Sequence, residues 1–208
     1  MIDINHLSNR LKNRKRHVLG HENAMQSAVL IPLIEKSGEW HVLFEVRSHD
    51  LNRQPGEICF PGGRVEPQDA HDKATAFRET REELQINASD LTYVGALDIL
   101  VQSQYFFVYP HVGIIAANAA VKPNDEVAET FTVPLKWILT HEPDLHYLEM
   151  KVEPDQDFPF ELIPNGKNYN WRGRRLPEYF YLFENRVIWG LTARILREFI
   201  LFVKEKNE

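Results

Sequence analysis

Apolar residues fall in short runs separated by polar turns, and the spacing within each run predicts an element. Ala28 to Ile34 is a continuous apolar run of strand length, the mark of a buried strand, with Pro32 indicating an edge or a bulge. Lys36-Ser37-Gly38-Glu39 is a hairpin-type turn, and Trp40 to Arg47 is the returning strand. Ser48 to Gly56 is polar and ends on Pro55-Gly56, so it reads as a loop. Ile58-Cys59-Phe60 is a very short strand that runs into Pro61-Gly62-Gly63. From Asp69 to about Ile86 the period becomes helical, with Ala70, Ala74, Phe77 and Leu84 as the apolar side and Asp69 or Asp72 as the cap.

Leu91 to Leu97 and Phe106 to Ala116 read as strands. Residues 117–130 form a polar connection containing Pro123-Asn124-Asp125-Glu126. Thr130 to Val133 is a short strand, and Pro134 opens a helix at the first turn, where proline is tolerated. Residues 147–180 alternate apolar and acidic positions and hold several Pro and Gly, which predicts a hairpin plus irregular structure. Ile188 to Lys204 is the last helix, with Ile188, Leu191, Ile195, Phe199 and Phe202 on one side. Residues 4–16 predict a short N-terminal helix ending in Arg10, Lys12, Arg14, Lys15 and Arg16, a solvated basic face. Helices and strands mix without strict βαβ repetition, and nothing reads as a linker. The expectation is one α+β domain over residues 1–208, with a core of about 26–200 and a helical extension over 1–20.

Charge narrows the partners. The 208 residues carry 30 Asp+Glu against 24 Lys+Arg, a net charge of −6, which argues against a nucleic-acid backbone or an anionic membrane as the main partner. No apolar run approaches the ~20 residues of a membrane span. Cys59 is the single cysteine, so no intramolecular disulfide forms, as suits a reducing compartment. Its short apolar strand marks it as a core residue and not a nucleophile. The first residues lack the pattern of a signal peptide and the last are no peroxisomal or reticulum address, so the expected location is cytoplasmic.

The acids are unevenly spread. Between Glu66 and Glu83 there are six acids and three bases, half of the whole net charge in 18 residues. At about 100° per residue, Glu79, Glu82 and Glu83 share one face of the predicted helix. Three carboxylates so close repel one another, and a hard divalent cation is the natural compensation. The preceding Gly62-Gly63 pair allows a tight turn and offers a carbonyl ligand. Mg²⁺ or Mn²⁺ held there would suit cleavage of a diphosphate.

The segment from Gly63 to Ile86 resembles the Nudix box, G-x5-E-x7-R-E-U-x-E-E-x-G-U, where U is aliphatic. Gly63, Arg78, Glu79, Glu82, Glu83 and Ile86 match it. Asp69 stands at the first acid, with eight residues between it and Arg78, and Thr80 and Gln85 replace the aliphatic residue and the late glycine. The Asp and the extra residue are usual in the coenzyme A pyrophosphatase branch. Upstream, Leu43-Phe44-Glu45-Val46-Arg47-Ser48, Asn52, Gly56 and Phe60-Pro61-Gly62-Gly63 keep the spacing of that branch's tag, L-L-T-x-R-S-x3-R-x3-G-x3-F-P-G-G. Glu45 stands where Thr is expected and Asn52 where Arg is expected, with Arg53 adjacent. Asn124 to Val127 and Ile188 to Ala193 also look like stretches of this branch.

The resemblance implies a Nudix-type α/β/α sandwich with a mixed central sheet, a catalytic helix after the Gly-Gly turn and a long C-terminal helix. It further implies Glu79 and Glu83 as principal ligands of Mg²⁺ or Mn²⁺, with Glu82 and the Gly62 carbonyl joining them. Glu126 is implied as an added ligand or the general base, and Arg78 as the group that orients the glutamates. The implied substrate is coenzyme A or a derivative, bound beside Gly63; its 3′-phosphate needs a cationic receiver, and Arg47 and Arg53, which precede the glycine turn, are the candidates. Another Nudix substrate, such as ADP-ribose, a dinucleotide or a nucleoside triphosphate, stays open. A binding module without turnover is the other alternative, set back by the presence of all three glutamates. Oligomeric state is not legible.

Overall fold

The structure is a computed structural model, and it describes residues 3–15, 18–19, 23–103 and 106–205. Its centre is the run of apolar residues that opens the chain's core. Strand β1 (Met25–Lys36) turns through Ser37 and Gly38, both at positive φ, into β2 (Glu39–Arg47). β1 also pairs in parallel with β7 (Phe106–Ile115), and β7 pairs with β5 (Leu91–Ala96) and β6 (Leu100–Ser103). β2 pairs with β3 (Ile58–Cys59) and β8 (Val127–Pro134), and β4 (Gly62–Arg64) pairs with β1. All pairs but β1–β7 are antiparallel, so this eight-stranded sheet is mixed, as expected.

Helices cover both faces. Alternation along β1 sends Ala28, Leu30 and Ile34 to one side, where they pack with Leu43, Ala76, Leu84 and Ile86 under α2 (Asp72–Leu84). Ile31 goes to the other side, with Val42 and Phe44, against α4 (Gly190–Lys204) and α3 (Leu135–Thr140). This is the sandwich the resemblance implied. Pro32 lies inside a central strand, not at an edge or bulge. Beside β1 the ladder to β4 covers residues 27–29 and the ladder to β2 covers residues 33–36. Proline therefore sits in the gap between two partners, where a missing N–H costs little.

A second sheet of β9 (Asp144–Met150), β10 (Arg174–Phe183) and β11 (Arg186–Ile188) forms the expected hairpin, with residues 151–173 irregular between β9 and β10. α1 (Ile4–Lys12) is shorter than the predicted helix, and Arg16 lies outside the described residues. Two further expectations need correction. α2 is capped by His71, whose ring nitrogen accepts from Ala74 N–H at 3.0 Å, because Asp69 is held elsewhere. On α4 the buried face runs through Thr192, Ala193, Ile195, Leu196, Phe199 and Ile200, while Phe202 is 65% exposed. Strand β6 was not expected. Among the described residues no helix is long and apolar enough to cross a membrane.

Candidate active site

The site is built where β4 meets the last turn of α2. Gly62 has φ of +151°, and a side chain there would run into the backbone of β1, with Val29 Cα at 2.6 Å. A Cβ on Gly63 would overlap the carboxylate of Glu79. The pair of glycines thus lets the backbone lie directly against the helix acids.

Arg78 ties the helix to the loop before it. Its Nε and one terminal nitrogen donate to the two oxygens of Asp69, each at 3.0 Å. The other terminal nitrogen reaches Glu79 at 2.9 Å and Glu82 at 3.2 Å. Asp69 also accepts from Glu66 N–H and from the Thr75 hydroxyl. These bonds, led by that from Arg78, hold the Asp69 carboxyl below the usual range and raise the Arg78 guanidinium above its own. The ion pairs of Arg78 with Glu79 and Glu82 are those that an orienting role would need.

The three helix glutamates part company. Glu82 is 56% exposed along its side chain, while Glu79 is half-buried and its pKa is raised by burial. Glu83 is only 6% exposed, and one of its oxygens accepts the Gly62 N–H at 2.8 Å. Burial, then the neighbouring Glu79 and Glu126, push its pKa up to about 8 against the opposing pull of the Gly62 bond. Glu83 thus lies under the helix, next to the fully buried Leu84, apart from the exposed Glu82. Among the described residues, no three Asp, Glu, His or Cys side chains are gathered around a single point, and Glu79 and Glu82 both pair with Arg78. The chemistry of the donor set nonetheless fits a hard cation. It is all oxygen, partly buried and mutually repelling.

Glu126 is brought in by a loop that clamps both neighbours. Asn124 N–H bonds the Glu83 carbonyl at 2.8 Å, and Ser48 N–H bonds the Glu126 carbonyl at 2.8 Å. The Glu126 side chain is exposed and its charge is felt at Glu83. Thr80, at an aliphatic position of the motif, is buried and gives its hydroxyl to the Ala76 carbonyl.

A cleft adjoins the acids, with Arg47 and Gly62 at the border and Cys59, Phe106, Trp189 and Leu191 among its walls. Arg53 is exposed and does not line it. It touches Arg47 only through its backbone carbonyl, at 3.4 Å from Arg47 Nε. Cys59 is half-buried, and burial followed by Glu45 and Glu83 raises its thiol pKa, which keeps it from acting as a nucleophile. Glu45, which the sequence does not single out as a site residue, lies within electrostatic reach of Glu83. It is 1% exposed, and burial and then Glu83 raise its pKa far above the usual carboxylate range. The available signal was an acid inside the apolar run Val42-Leu43-Phe44-Glu45-Val46.

The sequence profile of the NUDIX domain matches residues 24–156, more than half of the chain. The chain belongs to the Nudix family of hydrolases. It is 38% identical over 139 residues to the peroxisomal coenzyme A diphosphatase NUDT7 of Mus musculus, covering 66% of this chain and 58% of that protein, so it spans under two thirds of that relative. It is 33% identical over 178 residues to the Nudix hydrolase NudL of Photorhabdus laumondii, covering 85% of this chain and 84% of that one. A crystal structure of a MutT/nudix family protein from Enterococcus faecalis aligns at 11% identity with a TM-score of 0.49, over 98% of this chain and 71% of that one.

Proposed function

We propose that this Nudix chain hydrolyses the diphosphate of coenzyme A or its derivatives with the help of Mg²⁺ or Mn²⁺. The products would be 3′-phosphoadenosine 5′-phosphate and phosphopantetheine or its acyl form. The observation that carries this reading is the placement of Glu79, Glu83 and Gly62 beside a cleft that Arg47 and apolar walls complete. The likeness to a coenzyme A diphosphatase supports the substrate. Glu79 and Glu83 would hold the cation, joined by Glu82 and the Gly62 carbonyl. A cation there offsets phosphate charge and makes a bound water more acidic.

In that frame a water attacks one phosphorus, the bridging P–O bond breaks, and the bridging oxygen leaves with the other phosphate. Glu126 takes the water's proton or adds a ligand. Arg78 keeps Glu79 and Glu82 in place, and Arg47 receives a substrate phosphate. Arg53 plays the lesser part, since only its backbone meets the cleft's arginine. Nucleic acid and membrane have no place in this reading. We place the chain in one domain, because α4 and β1 share one apolar cluster. We assign it to the cytoplasm, because the lone Cys59 needs no oxidising compartment.

Purified protein should be assayed with Mg²⁺ or Mn²⁺ against coenzyme A, an acyl-coenzyme A, ADP-ribose, a diadenosine polyphosphate and a nucleoside triphosphate. Coenzyme A or its acyl form should give the highest kcat/KM. Faster cleavage of ADP-ribose would overturn the substrate assignment.

A further inference from the structure

Glu45 occupies β2 with almost no exposure, and neither of its carboxylate oxygens has a hydrogen-bond partner among the described residues. Carboxylates buried this deeply are normally paired or bound to a metal. Its direction follows from alternation. Leu43, two residues earlier, packs in the cluster beneath α2, and the register shift of β2 against β8 comes only after Val46. Glu45 therefore faces α2, the side from which Glu83 descends. Cys59 stands opposite it on β3 and Thr130 on β8, and neither bonds it. The charges it feels are those of Glu83 and Glu126, of like sign, and of Arg47. A buried acid without a hydrogen-bond partner among the described residues is thus aimed at other acids, with Arg47 as the cation set against two carboxylates.

We propose that Glu45 is a further carboxylate ligand of the cation site, reaching it from the sheet while Glu79 and Glu83 reach it from the helix. The inference rests on the metal-dependent reading above. Thr is the residue expected at this position of the coenzyme A branch, so Glu45 would give this chain a stronger hold on divalent cations than a Thr there could. An oxygen-donor ion such as Mn²⁺ or Mg²⁺ is the class that fits.

The test is Mn²⁺ binding without substrate. The full chain is stripped with EDTA, dialysed and titrated with Mn²⁺ while electron paramagnetic resonance reports the free ion. Glu45→Gln and Glu45→Thr are titrated alongside, with circular dichroism confirming their fold. Each variant should bind Mn²⁺ at least tenfold more weakly or lose one bound ion. In melting experiments, metal-free Glu45→Gln should be more stable than metal-free wild type and should gain less from Mn²⁺. Variants with wild-type stoichiometry and an affinity within twofold of wild type would overturn the role of Glu45 while leaving the metal-dependent reading intact. A wild-type chain that binds no Mn²⁺ would overturn both. Should Glu45→Gln not fold, Glu45→Thr decides alone.

Discussion

The carboxylate of Glu79 fills the space that a side chain on Gly63 would need, with Oε2 2.8 Å from where a Cβ would stand. Glycine at this position is thus a requirement of the helix acid and not of the turn alone. Gly63→Ala should push Glu79 out of line and lower kcat by roughly 100-fold, the scale of a ~1 Å misplacement of a working group. Circular dichroism should show the fold retained. Wild-type turnover in this variant would mean that the position of Glu79 is immaterial.

The clamp between Asp69 and Arg78 makes a prediction about acid. The Asp69 carboxyl is held below its ordinary value mainly by the Arg78 hydrogen bonds. A carboxyl with a depressed folded pKa contributes stability above its unfolded value, about 4, and loses that contribution as pH falls through the folded value. Asp69→Asn should cost roughly 1–2 kcal/mol at pH 7, the scale of a charge-assisted hydrogen bond. The gap from wild type should narrow steadily in urea melts below pH 4. A gap of constant size across that range would show that charge at Asp69 is irrelevant.

Gln85 ends α2 in the left-handed conformation, at φ 49° and ψ 43°. The family motif places glycine there, and this conformation strains any residue with a Cβ. Gln85→Gly should stabilise the chain by about 0.5–1 kcal/mol, the relief of strain being partly offset by a more flexible unfolded chain. Thermal melting checks it, and kcat should not move.

Arg47 lies at the border of the cleft, within electrostatic reach of Glu45 and Glu83. If it receives the 3′-phosphate of coenzyme A, Arg47→Ala should raise KM for coenzyme A by roughly 30-fold, about 2 kcal/mol for a charge-assisted bond. Dephospho-coenzyme A, which lacks that phosphate, should show little change. Equal losses for both substrates would assign Arg47 to the diphosphate instead.

Local spacing made much of this site readable. Glu79, Glu82 and Glu83 lie within one turn of α2 just after Gly62-Gly63, so their nearness was legible, although Glu82 faces solvent and Glu83 the interior. Arg78 pairs with Asp69, Glu79 and Glu82 at short sequence separations, so its ion pairing with the glutamates was legible too. What stayed hidden depends on contacts across the fold. Glu45 comes within electrostatic reach of Glu83 because odd positions of β2 face the side of the sheet that α2 covers, a matter of sheet order that no local pattern encodes. The depth of Glu83 depends on packing of Leu84 against Leu30 and Ile115 across the sheet. The cap was misread because two acids competed for it, and the stronger pull of Arg78 took Asp69 away and left His71 in place. Pro32 misled because the ladder gap that tolerates it is made by β4, a strand of three residues far along the chain.

If Glu79 and Glu83 hold a divalent cation that acts on a diphosphate, turnover must depend on both the cation and Glu83. Release of 3′-phosphoadenosine 5′-phosphate from coenzyme A should be followed chromatographically for wild type and Glu83→Gln, each with Mg²⁺, with Mn²⁺ and with excess EDTA. Wild type should turn over with either metal and stop in EDTA, and Glu83→Gln should lose at least 100-fold in kcat while still melting cooperatively. Turnover that persists in EDTA, or that is undiminished in Glu83→Gln, would contradict that dependence.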